Sequence, residues 1–126
     1  MSTSTGSAKI DPKGAIPVAN IHIGFAQHSV WRCDLNDAQG NSLHQWMDSN
    51  DSNFSVLDAP QQILQNKEFL RWWITIMKAT NDPNERIFVQ VDLSQGGTPC
   101  MKSIKVDDKF EPDRNVYVAV VEVTFE

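Results

Sequence analysis

FLRWWITIMKATNDPNERIFVQVDL, residues 69–93, is the stretch whose reading decides the fold. Its first arm sets Leu70, Trp72, Ile74 and Ile76 on one parity and Phe69, Arg71, Trp73, Thr75 and Met77 on the other. Its second arm alternates more cleanly. Ile87, Val89, Val91 and Leu93 share one face, and Arg86, Phe88, Gln90 and Asp92 share the opposite one. Period-two alternation of β-branched and aromatic residues reads as strand. Thr80-Asn81-Asp82-Pro83-Asn84-Glu85 between the arms consists of turn formers. The expectation is a β-hairpin with Ile76 beside Val89, Ile74 beside Val91 and Trp72 beside Leu93. The mixed face would then hold Arg71, Trp73, Met77, Phe88 and Asp92 together. Adjacent Trp72 and Trp73 must point to opposite sides of such a strand.

Outward from the hairpin the chain keeps the same character. Upstream, strands are expected at Pro17 to Phe25, His28 to Leu35, Ser42 to Met47 and Phe54 to Leu57, with a turn closed by Gly40 in a positive-φ conformation. Asp58 reads as the cap of a brief helix from Ala59 to Asn66, with Pro60 in its first turn and Gln61 at the capping-box position. Downstream, strands are expected at Ser103 to Asp107 and Asn115 to Glu126. Residues 1–14, MSTSTGSAKIDPKG, carry almost no apolar side chain and read as a flexible tail, leaving residues 15–126 as a single domain. Seven or eight short strands with frequent turns and one short helix predict an all-β fold, an antiparallel β-sandwich, with a β-barrel as the alternative.

The chain has 126 residues and a formal net charge of −5, with 11 Lys and Arg against 16 Asp and Glu. That length suits one core. The acidic balance argues against nucleic acid as a partner, which needs a basic face. No apolar run is long enough for a membrane helix. Met1 and the absence of an apolar leader point to a cytoplasmic protein, the alternative being secretion without a visible signal peptide. Cys33 and Cys100 are too few for a disulfide framework, and the sequence does not say whether they are oxidised.

Catalytic signatures are missing. There is no GxSxG. His22, His28 and His44 have no metal-ligand spacing, Cys100 has no neighbour that would lower its pKa, and Gly96-Gly97 lacks the lysine and helix of a phosphate loop. The expectation is a non-enzymatic protein with no catalytic residues and no cofactor. The one weak metal candidate is Asp48, Asn50, Asp51 and Asn53, four hard oxygen donors in one loop that would suit calcium.

The four tryptophans carry most of the remaining information. An indole beside amides and carboxylates is the equipment of a sugar-binding surface. Trp46 beside the DSNDSN loop and Trp73 with Arg71 and Asp92 are the candidate platforms. The leading expectation is therefore a lectin-like, carbohydrate-binding module. The alternative is a structural or assembly protein that forms homo-oligomers through the outer face of the 69–93 hairpin, where Phe69, Trp73, Met77 and Phe88 resemble a protein interface.

Overall fold

A computed structural model describes residues 2–126. Ten strands and one helix follow in the order β1 (Ser2–Ala8), β2 (Val18–Ile23), β3 (Ser29–Asn36), β4 (Ser42–Ser49), β5 (Ser52–Ser55), α1 (Pro60–Gln65), β6 (Phe69–Met77), β7 (Arg86–Gln95), β8 (Thr98–Pro99), β9 (Ile104–Lys109) and β10 (Val116–Phe125). They form two sheets. The front sheet runs β1-β10-β6-β3-β4; the back sheet runs β5-β2-β7-β8, with β9 also paired to β7. This is an all-β sandwich with one short helix and no closed barrel.

The inner faces are those the alternation specifies. Leu70, Trp72, Ile74 and Ile76 of β6 are fully buried, as are Ile87, Val89 and Val91 of β7. Ala19, Ile21 and Ile23 of β2 and Ala119, Val121 and Val123 of β10 complete the same core. Each sheet therefore hides one face, and removal of that apolar area from water drives the two together.

Three sequence expectations need correction. The first is the hairpin. Both arms are strands, yet β6 and β7 do not pair, because they lie in opposite sheets. β6 has β10 on one side and β3 on the other, whereas β7 pairs with β2 and β9. Ile76–Val89, Ile74–Val91 and Trp72–Leu93 are thus not ladder pairs, although all six residues belong to one core. Alternation fixes which row goes inside, but rows that meet across the interior and rows that lie side by side have the same alternation. The connection after Met77 has its own brace. The Glu85 carboxylate accepts the Ala79 and Thr80 N–H groups at 2.7 Å and the Gln27 amide at 2.8 Å. Burial raises its pKa, but these bonds and that of the Thr80 hydroxyl outweigh burial and bring it to about 2.

The second correction is the tail. Ser2–Ala8 is a strand, paired parallel to β10 from Ser2↔Ala119 to Ala8↔Phe125. Its worth lies in backbone bonds rather than side chains, so hydrophobic patterning does not find it. Ala8 is fully buried. A Cβ at Gly6 would sit 2.6 Å from Ile104 Cδ1, so any larger residue there would displace the Ile104 side chain. The third concerns the helix. Its N-cap is Ala59, which makes no side-chain cap bond. Asp58 instead bonds His44 Nε2 at 3.0 Å. The tight turn does close on Gly40, at φ 87°.

Candidate functional site

The outer face of the front sheet gathers large apolar and cationic side chains from four strands. The register sets Val120, Trp73, Arg32 and Met47 in one row across β10, β6, β3 and β4. A second row joins Val118, Thr75, Val30 and Ser49. Val30, Met77 and Val116 are exposed, as is Met47 at 72 %. Val30, Arg32, Met47, Trp73 and Thr75 line one shallow recess. Alternation along four neighbouring strands puts these side chains together, because residues two apart share a face.

Trp73 sits at the centre of an electrostatic cluster. The Arg32 guanidinium lies 4.2 Å from its ring centroid and that of Arg71 5.6 Å. Arg71 Nε also pairs with Glu122 at 3.0 Å, and Arg32 Nε lies 3.5 Å from the Asp34 carboxylate. Gln45 Nε2 donates to that carboxylate at 3.1 Å. The two guanidinium groups are held by aromatic contact and carboxylates together, so Trp73 is flanked by cations whose own counter-charges are fixed.

The expected site residues fall in three places. Arg71, Trp73 and Met77 share the front outer face. Phe88 and Asp92 belong to β7, so they lie on the far side of the sandwich. There Phe88 meets His22 edge-on at 6.3 Å, and the Asp92 carboxylate accepts from Gln90 and Ser103. A mixed face holding all five therefore does not exist, because it depended on the pairing of β6 with β7. Trp46 points between the sheets and stacks on Phe54 at 4.4 Å. Phe54 also approaches Trp31 at 5.8 Å and Trp72 at 6.1 Å, so three of the tryptophans converge on one phenylalanine of the back sheet. Val30, Arg32, Met47 and Val116 join Trp73 only through strand order, which no local pattern encodes.

Three of the four oxygen donors of the polar loop, Asp48, Asn50 and Asp51, bond to the chain itself. Asp48 accepts from Ser49 N–H and the Ser52 hydroxyl, both at 2.8 Å, which lowers its pKa. Asp51 takes the Ile23 N–H and His22 Nδ1, also at 2.8 Å, and the Ile23 bond leads in lowering its pKa. Asn50 Oδ1 accepts the Ser29 N–H at 3.0 Å, and Asn53 sits opposite Asn20 in β5. Among the described residues, no three His, Cys, Asp or Glu side chains cluster as metal ligands. Cys33 is buried in the core and Cys100 is half-buried, both are free thiols, and burial raises the pKa of each.

One buried acid stands apart. Glu68 is 1 % exposed, and its Oε1 has no hydrogen-bond partner. Burial, then the neighbouring Asp58 carboxyl, raise its pKa from 4.5 to about 7, against the opposing hydrogen bond from Asn66 and the charge of His44. The folded protein thus holds a proton that the unfolded chain has released. Its stabilising contribution is complete below pH 4.5 and is lost as the pH rises through about 7. The slope is at most about 1.4 kcal/mol per pH unit in that window. Glu68→Gln keeps the shape without the charge. Urea titrations across the window should show wild type losing stability with rising pH and the variant losing clearly less.

No protein-family model matches the chain, and neither curated proteins nor solved structures give a match.

Proposed function

We propose that the protein is a non-enzymatic binding module whose working surface is the outer face of the front sheet, centred on Trp73, and whose partner is a protein. The observation that carries this reading is the composition of the face. A half-buried tryptophan, two flanking arginines and exposed Met47, Met77, Val30 and Val116 form one patch. Tryptophan, methionine and arginine are the residues enriched where protein surfaces meet, and tryptophan and arginine dominate their energetics. A carbohydrate reading draws less support. Its second platform, Trp46, is committed to Phe54, and the Trp73 ring carries Arg32 against it. No sequence signature of catalysis competes with a binding role.

A photo-reactive benzoylphenylalanine placed at Val116, in the patch, tests this in extracts of the source cells. The control position is Lys105, exposed on the back sheet. The reading predicts a discrete protein adduct from position 116 that disappears with Trp73→Ser, and none from position 105. Equal labelling at both positions, or indifference to Trp73→Ser, overturns it. A glycan-array response abolished by Trp73→Ser, with no protein adduct, transfers the face to a sugar.

A further inference from the structure

The front sheet ends at β4, and among the described residues no strand lies beyond it. The free side of β4 can be read from its ladder. The Asn50 N–H donates to the Ser29 carbonyl at 3.1 Å, and the register pairs Trp31 with Asp48, Arg32 with Met47, Cys33 with Trp46 and Asp34 with Gln45. In an antiparallel ladder, bonded and non-bonded pairs alternate. Asn50, Asp48, Trp46 and His44 therefore direct their backbone groups to β3, and Met47 and Gln45 direct theirs to the open edge. Ser49 agrees, since its N–H is taken by the Asp48 carboxylate at 2.8 Å. The register shift between Leu35 and Asn36 leaves Leu43 without an opposite residue in β3. SLHQWMDS contains neither lysine nor proline, the residues that commonly blunt an edge.

We infer that two copies of this chain pair through β4, antiparallel, about a two-fold axis at Gln45, joining their five-stranded front sheets into one continuous sheet. A two-fold normal to the sheet keeps both inner faces on one side, so each residue meets one of its own parity. Leu43 and Met47 are the exposed apolar residues of β4, at 42 % and 72 %. They stand two positions either side of Gln45, so this axis sets each opposite the other. An axis at His44 would put Leu43 against Gln45; one at Trp46 would put it against Ser49. Centring on Gln45 also sets Trp46 against His44 and Asp48 against Ser42, with no like charges opposed. The outward backbone groups of Gln45 then form one bonded pair across the axis, with about two inter-chain N–H···O bonds, and those of Met47 face Leu43 of the second copy on either side of it. The row through Trp73, Arg32 and Met47 continues onto Leu43 of the second copy.

The pairing does not rest on the role proposed for Trp73, and charge exchange tests it separately. Sedimentation velocity of the wild type should give twice the 14.2 kDa chain mass. Leu43→Lys combined with Met47→Lys sets lysine against lysine and should weaken the dimer at least about tenfold. Leu43→Lys combined with Met47→Glu sets lysine against glutamate and should restore it, in this register alone. Circular dichroism verifies that both variants keep their strands. A wild type that stays monomeric at millimolar concentration overturns the inference, as do two double variants that behave alike. A dimer dissolved by Trp73→Ser but not by the paired lysines also overturns it, and places the contact on the sheet face.

Discussion

Trp72→Ala should lower the unfolding free energy by about 3–5 kcal/mol, whereas Trp73→Ala, one residue along, should cost about 1 kcal/mol or less. Trp72 is fully buried in the centre of the front sheet, against Phe54 from the back sheet. Its removal leaves a void behind β6, which is held by β10 on one side and β3 on the other, so that wall cannot collapse inward. Trp73 has its ring on the outer face, where water replaces it. Guanidinium denaturation of both variants checks the contrast. Trp72→Phe adds a refinement. The Trp72 indole N–H has no hydrogen-bond partner, so phenylalanine removes an unsatisfied donor along with part of the ring. It should cost clearly less than alanine. Equal losses from Trp72→Ala and Trp73→Ala would mean that the two rings share one environment.

Starting the chain at Lys9 should be the other severe change. Without Ser2–Ala8, the β10 backbone from Ala119 to Phe125 loses its neighbour and becomes a bare sheet edge. The missing segment also covers Ile104 through Gly6 and includes the fully buried Ala8. The net loss should reach about 3 kcal/mol, from several ladder bonds worth about 0.5–1.5 kcal/mol each, less the entropy of ordering the strand. For a domain of this size that corresponds to a fall in Tm of about 10 °C. The exposed edge should also promote aggregation. Thermal melts of the shortened and full chains, followed by light scattering, measure both effects. An unchanged Tm would show that the N-terminal strand contributes nothing to the fold.

How far the sequence carries depends on which interactions leave a local trace. Burial by parity does. The inner rows of β6, β7 and β2, the divergence of Trp72 and Trp73 and the Gly40 turn all follow from alternation and φ preference. Partner choice does not. β6 and β7 carry matching apolar rows, and facing each other across a core satisfies those rows as well as pairing does. β1 has no apolar row, so what holds it is an open edge more than a hundred residues away in the chain. The candidate site inherits the same division. Arg71, Trp73 and Met77 are legible because they lie on one strand. Arg32, Val30, Met47 and Val116 come from three other strands, and only the order β10-β6-β3-β4 brings them in. Phe88 and Asp92 would join Trp73 only if β6 paired with β7, so they leave the site with that pairing. Trp46 lies beside polar residues in sequence, but its parity matches His44 and places it inward on Phe54.

The central claim is that Trp72 faces the interior while its neighbour Trp73 faces out on the proposed binding surface. Fluorine NMR of fluorotryptophan-labelled protein, compared in light and heavy water, reports the solvent contact of each indole separately, with Trp72→Phe and Trp73→Phe assigning the signals. The account predicts a clear solvent isotope shift for Trp73 and none for Trp72. Two shifted signals, two unshifted ones or the reverse assignment would contradict it.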